Sequence, residues 1–285
     1  MDPVYRPDLL ADQHIVITGG GSGLGREMAL RVAALGARVT VCGRREEPLA
    51  ETVRTIEEGG GAAAGLPCNV REWESVAAFF EAAEERQGPV TGLVNNAAAN
   101  FLAPSHQLSP GGFDAIVKTN LYGSFYCTRW CGEKWIERET QGAVVSIVTT
   151  YAEFGSAFVL PSAVSKAGIA TMTKSLAAEW GTYGIRLNAI APGPFPTEGA
   201  WKRLVPDPSM EEQWRQRVPL ARFGEPEELT NLAAFLLSGA SSYLTGQVIA
   251  LDGGEALASG GQFNDFIKLP REGVLQVMEM MRGGS

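Results

Sequence analysis

The stretch YAEFGSAFVLPSAVSK, residues 151–166, carries a phenol, a hydroxyl and an amine that could act together on one small molecule. Ser162 and Lys166 stand four positions apart, so on a helix both side chains leave from one face. Lys166 is flanked by AVS and AGIATM, and a lysine in such apolar company is costly to bury without a polar or anionic partner. Tyr151 follows the apolar run GAVVSIV. Strand ends of open α/β sheets face the ligand crevice, so a phenol placed there is aimed from a loop and not from the helix. Bland alternatives exist for two of the three: a tyrosine at a core boundary, and a serine in a helix's first turn after Pro161.

A second chemical feature is TGGGSGLG, residues 18–25, which follows the first strand-like run and opens a helix-like one. Residues without Cβ let the backbone approach a pyrophosphate, and the helix start offers free N–H groups and a positive dipole end. Gly19, Gly23 and Gly25 give the spacing G-x-x-x-G-x-G, with Thr18, Ser22 and Leu24 as companions in the cradle. About twenty residues on, where an enzyme for the unphosphorylated dinucleotide would place an acid on the ribose, the chain has Arg44 and Arg45. Two guanidinium groups suit a 2′-phosphate, so NADPH is preferred to NADH. The plain alternative is a solvated basic pair, although a helix N-terminus is an unfavourable place for cations unless an anion is bound.

Strand-like runs (HIVIT, ARVTVCG, TGLVNN, GAVVSIV, IRLNAIAP and GQVIALDGG) alternate with helix-like segments such as 23–35 and 46–58. That alternation predicts an α/β fold: a single-domain Rossmann-type doubly wound parallel sheet with helices on both faces. Residues 1–285 are expected to form one dinucleotide-binding domain, with a substrate-covering insert at about 195–220 and a C-terminal extension at about 255–285. The polar, amphipathic composition of the insert, after the turn-rich APGPFPTEG, is that of a segment lying over the strand ends.

A net charge of -8 argues against a broad electrostatic grip on nucleic acid or anionic membrane. No apolar stretch is long enough to span a bilayer, the opening does not read as a targeting peptide, and the end lacks the peroxisomal tripeptide, so a cytoplasmic protein is expected. The four cysteines include no Cys-x-x-Cys pair, and with only His14 and His106 to join them no metal site is expected.

With TGGGSGLG at the front, NNAA at residues 95–98, the lysine of the long helix and APGP at residues 191–194, the chain resembles the short-chain dehydrogenase/reductase family over nearly its whole length. NNAAANF, TTYAEFGSAFVLPSAVSKAG, SLAAEWGTYGIR, PGPFPTEGA and SGGQFND are similar, more narrowly, to mitochondrial-type 2,4-dienoyl-CoA reductases of unsaturated fatty acid breakdown. The resemblance implies NADPH, an acyl-CoA substrate, a homotetramer, and an active site of a tyrosine, a serine eleven residues on and a lysine four after that. Tyr151, Ser162 and Lys166 reproduce that order, and Asn120 takes the place of the wider family's asparagine, as a catalytic candidate with structural or water-relay work. By the same resemblance Asn69, Val70, Asn96, Ala97, Ala98, Lys166, Pro192, Gly193 and Pro194 belong to the cofactor site. Asn69 stands where an aspartate commonly meets the adenine amino group, and an amide oxygen can accept the same bond. Asn100, Phe101 and Tyr122 are expected on the substrate, Tyr122 as a second donor to the thioester, while Arg71, Lys202 and Arg203 are candidate cations for the CoA phosphates. The rival within enzymes is a reductase or dehydrogenase of a ketone, alcohol or 3-ketoacyl thioester, which would need a tyrosine where Ser162 stands. The rival of another class is a cofactor-binding protein without catalysis.

Overall fold

The computed structural model describes residues 4–197, 208–258, 264 and 270–283. Seven parallel strands are ordered β3-β2-β1-β4-β5-β6-β7: β1 (His14–Thr18), β2 (Arg38–Gly43), β3 (Ala62–Pro67), β4 (Gly92–Asn95), β5 (Gly142–Ile147), β6 (Ile185–Pro192) and β7 (Val248–Leu251). The expected doubly wound sheet is therefore observed. Its strand order reverses between β1 and β4, and such a switch point opens a crevice beyond the strands' C-terminal ends.

β1, β4 and β5 are buried at every position, which is why they read as unbroken apolar runs without polar alternation. Helices cover both faces. On one, α1 (Gly23–Ala34) and α2 (Glu46–Glu58) pack Met28, Val32, Leu49 and Ile56 onto Ile15, Ile17 and Val39. On the other, α3 (Trp73–Gln87) and α5 (Gly123–Glu137) pack Phe79, Phe80, Trp130 and Trp135 onto Val16, Leu93 and Val144. Between these come α4 (Pro110–Val117) and a π-helical turn, Lys118–Tyr122, which runs straight into α5. The rest of the helical framework is α6 (Tyr151–Phe154), α7 (Leu160–Trp180), α8 (Pro208–Arg215), α9 (Pro226–Leu237), α10 (Glu255–Ala258) and α11 (Arg271–Gly283).

β3 was not among the expected strands. Its sequence AAAGLP has no β-branched or aromatic residue, and as an edge strand it is alternately half-covered. His14 is fully buried, with Nδ1 2.7 Å from the Gly88 carbonyl oxygen and Nε2 2.8 Å from Thr40 Oγ1. Both ring nitrogens are thus engaged in holding β1 to its neighbours. Among the described residues no helix is long and apolar enough to cross a membrane.

Candidate active site

A cleft of about 820 Å3 opens at the switch point, lined by the glycine loop, Arg44, Arg45, Cys68, Asn69, Val70, Arg71, Asn96, Ala97, Ala98, Ala99, Thr119 and Thr197. Gly19 and Gly23 sit at φ +68 and +53, where a side chain would be strained. A Cβ on Gly25 would stand 2.4 Å from both the Gly19 carbonyl oxygen and Asn96 Nδ2. The loop is therefore closed so tightly that only hydrogen fits. Ser22 caps α1 without a side-chain hydrogen bond, and the first turn of α1 holds no acid. Its N–H groups and dipole are left for an anion, so the residues present fit a dinucleotide pyrophosphate.

Asn96 supports this loop from below, its Nδ2 donating to the carbonyls of Thr18 at 3.0 Å and Gly19 at 3.3 Å. Thr18, expected in the cofactor site, has its hydroxyl turned inward: it accepts from the backbone N–H of Asn96 and of Ala97, each at 3.0 Å, and donates to the Val94 carbonyl. It is a buried tie between β1 and the segment after β4. Arg44 and Arg45 are exposed at the start of α2, and among the described residues neither is paired with a carboxylate. Ser22, Leu24, Val70, Ala97 and Ala98 line the cleft. Asn69 also lines it, with Nδ2 donating to Glu72 Oε1 at 2.6 Å and Oδ1 accepting only a long 3.4 Å contact from the Arg71 N–H.

Pro192, Gly193 and Pro194 do not line the cleft, and Thr197 does. The turn instead lets β6 end against β7: Gly193 N–H donates to Leu251 at 3.0 Å, and a Cβ there would stand 2.7 Å from Asp252 Cα.

The catalytic candidates meet at the end of β5. Tyr151 is not in an open loop but is the first residue of α6, a single turn. Its hydroxyl lies 3.1 Å from Ser162 Oγ in the first turns of α7. One turn further along, Lys166 is only 5% exposed and donates to the Ile147 carbonyl at 2.5 Å. Burial lowers its pKa to about 8. A phenol, a hydroxyl and an easily discharged amine thus form a file from the surface inward.

Asn120, fully buried on the π-helical turn, spends both halves of its amide on one backbone residue: Oδ1 accepts from Ala99 N–H at 2.8 Å and Nδ2 donates to Ala99 O at 3.1 Å. Its side chain therefore holds the loop after β4 in place and is not offered to a ligand. Tyr122 packs on Tyr126 with ring centroids 6.2 Å apart, and Tyr126 meets Trp73 at 5.9 Å. No hydrogen bond joins Tyr122 to the Tyr151 group among the described residues. Asn100 and Phe101 are exposed on the loop after β4, which is tied to the α6–α7 link by Ala103 N–H donating to the Phe158 carbonyl at 2.9 Å. Lys202 and Arg203 lie outside the described residues.

Thr149, two residues before Tyr151, was missed from sequence. Its Oγ1 is buried with no hydrogen-bond partner, a group whose desolvation calls for a ligand or water. A hydroxyl residue just past the end of a predicted strand, two positions before Tyr151, was the signal available.

Residues 19–255 match the family model described as enoyl-(acyl carrier protein) reductase. A probable 2,4-dienoyl-CoA reductase of Bacillus subtilis (strain 168), named as producing a (2E)-enoyl-CoA, is 41% identical over 244 residues, 85% of this chain and 96% of its own. One from Caenorhabditis elegans, named as producing a (3E)-enoyl-CoA, is 39% identical over 270 residues, 93% of this chain and 87% of its own. A short chain dehydrogenase from Bacillus anthracis has the same architecture, with a TM-score of 0.83 at 39% identity over 89% of this chain and 100% of that one. A putative 2-deoxy-D-gluconate 3-dehydrogenase from Agrobacterium tumefaciens with bound NADP gives 0.81 at 31% identity, over 89% of this chain and 100% of that one. Likeness of this extent, on a sheet whose switch point opens over a glycine cradle, places the chain among the oxidoreductases of the short-chain dehydrogenase/reductase family, built around a nicotinamide cofactor.

Proposed function

We propose that the protein reduces 2,4-dienoyl-CoA thioesters to 3-enoyl-CoA with NADPH. The observation that carries this reading is the hydrogen bond between Tyr151 and Ser162, 3.1 Å long, which brings the phenol from α6 to the place above the buried Lys166. Bound NADPH supplies the hydride. Addition at Cδ of a conjugated dienoyl group drives negative charge onto the thioester oxygen, remote from the carbon attacked. A donor must therefore sit at that oxygen and not beside the reacting carbon. Tyr151 donates there, Ser162 orients the phenol, and Lys166 holds the cofactor ribose. Protonation of the dienolate at Cα then gives the 3-enoyl product.

The preference for NADPH rests on Arg44 and Arg45, exposed in the cleft without a carboxylate partner among the described residues. The exposed Phe101 and Leu102 after β4, with Phe154, Phe158 and Leu160 from α6 to the start of α7, supply apolar surface suited to an acyl chain. The insert at about 195–220, with Arg71, Lys202 and Arg203, is assigned to covering the thioester and meeting the CoA phosphates. A homotetramer belongs to the same reading, and the half-exposed Phe125 on α5 and Val164 on α7 give it apolar surface to bury.

The test is NADPH oxidation with a 2,4-dienoyl-CoA against a 3-ketoacyl-CoA of equal length, with the product's double bond located by NMR. Turnover of the dienoyl ester, with little on the ketone, is expected. Preference for the ketone would overturn the reading. A 2-enoyl product would move the protonation from Cα to Cγ, the alternative named for the Bacillus subtilis relative.

A further inference from the structure

Pyrophosphate, ribose and base follow one another in the adenosine half of a dinucleotide, and the strand ends they can meet follow in the order β1, β2, β3. With the pyrophosphate on the glycine loop after β1 and the ribose beside Arg44 and Arg45 after β2, the base falls beyond the end of β3. The residue in the cleft wall there is Asn69, two places past the last residue of β3. An asparagine is by itself an ambiguous reader of a base. Its oxygen accepts and its nitrogen donates, and half a turn of the amide exchanges the two.

The start of α3 removes that freedom. The Asn69 N–H donates to Ser75 Oγ at 3.0 Å, and its carbonyl accepts from the Glu72 N–H at 3.1 Å, so the backbone is held at both polar groups. Asn69 Nδ2 donates to Glu72 Oε1 at 2.6 Å. An ionised carboxylate can only accept, so the end of the amide that faces it must be the nitrogen, and the oxygen is the end left over. Oδ1 receives only the long 3.4 Å contact from the Arg71 N–H. Glu72 stands at the N-cap of α3, where a side-chain oxygen can accept from first-turn N–H groups, yet it makes no such bond to its own helix. Its carboxylate is spent on Asn69 instead.

We propose that Glu72 is a positioning residue that makes Asn69 an acceptor, so that the cleft takes a 6-aminopurine and rejects a 6-oxopurine. The amino group of adenine donates to Asn69 Oδ1. In hypoxanthine an oxygen occupies the same place, and two acceptors then face each other with no proton between them. The inference rests on a nicotinamide dinucleotide lying in this cleft, and not on which compound it reduces.

The test compares the affinity of the full-length protein for NADPH and for its hypoxanthine counterpart, each titrated by the fluorescence of the reduced nicotinamide. The two ligands share the 2′-phosphate and differ only in the purine. Wild type should bind NADPH at least about tenfold more tightly, as expected when one hydrogen bond is exchanged for an unpaired contact. Glu72→Gln keeps the size of the side chain but offers a donor as well as an acceptor. Asn69 is then free to turn over, and the ratio should fall to about threefold or less, chiefly through tighter binding of the hypoxanthine form. Adding Asn69→Asp to Glu72→Gln should restore the ratio, because a carboxylate accepts whichever way it turns. A merely structural role for Glu72 would weaken both dinucleotides alike and leave their ratio unchanged. Equal affinities in wild type, or an undiminished ratio in Glu72→Gln, overturns the proposal and leaves the cofactor reading standing. A wild type that binds neither dinucleotide removes the cofactor reading and the proposal with it.

Discussion

The two halves of the crevice are built differently. On the side of β1 and β2, the cleft is walled by backbone in a loop so close that a Cβ on Gly25 would collide with Gly19 and Asn96, and the side chains beneath, Thr18 and Asn96, are spent on tying that loop to the strands. On the side of β5, the candidate groups are side chains from two separate elements: Tyr151 on the single-turn α6, and Ser162 and Lys166 near the start of the long α7. The first half is fixed by sterics and tolerates no substitution at its closest contacts. The second is fixed by a few hydrogen bonds, so its chemistry can change while the cofactor stays where it is.

Substitutions on the two sides should therefore fail in different ways. The largest effect is expected for Gly25→Val, whose side chain would collide with backbone: NADPH affinity, by fluorescence titration, falls at least about 100-fold. Tyr151→Phe, on the other side, should cut kcat by about 10²–10³ while its NADPH affinity stays within about twofold, because only a transition-state donor is lost. Unaltered turnover in this variant would erase the contrast. Arg44→Ala with Arg45→Ala sharpens it within the cofactor half. KM for NADPH should rise by about 10- to 100-fold, as expected for losing charged hydrogen bonds, and KM for NADH should not.

The pH behaviour of Lys166 carries a sign. Its folded pKa of about 8 lies below the unfolded value near 10.4, so the unfolded chain holds more protons between the two. The cost to folding is complete below about pH 8 and fades as pH rises through that window. In the cofactor-free protein, denaturant titrations should show wild type gaining about 2 kcal/mol on Lys166→Met between pH 8 and 10. Over the same rise wild-type turnover should fall as the ammonium is lost. The smallest effect belongs far from both sides. Glu228, held to a pKa of about 2 chiefly by its hydrogen bond to Arg222, also accepts from the Glu225 N–H at the start of α9. Glu228→Gln should cost about 1 kcal/mol or less in thermal unfolding at pH 7 and leave activity untouched. In wild type that increment is present above the unfolded carboxylate value and disappears as pH falls toward 2.

The same contrast explains what could be read from residues alone. The glycine loop, Arg44, Arg45 and the buried strands were legible because steric need and continuous burial leave strong local signals. Tyr151, Ser162 and Lys166 were legible as an ordered set, and the structure brings them together. Three things were not. β3 is an edge strand of alanine and glycine, held by its pairing with β2 and not by its own side chains. Thr18 is a polar residue at a motif position whose hydrogen bonds turn inward, and sequence cannot tell an inward hydroxyl from an outward one, whereas structural work was one of the roles expected of Asn120. Pro192, Gly193 and Pro194 serve the approach of β6 to β7, a contact between segments far apart in the chain.

The link between α6 and α7 begins at Gly155, at φ +75, and passes through Phe158, at φ +66, before α7 starts. Phe158 is a bulky residue in a conformation that side chains avoid, and the loop after β4 grips its carbonyl. These five residues, 155–159, act as a ruler between a phenol and a helix. Lengthening or relaxing that ruler would alter where the phenol stands relative to Ser162 and the start of α7, a route by which one scaffold could acquire a different reaction without rebuilding its glycine loop.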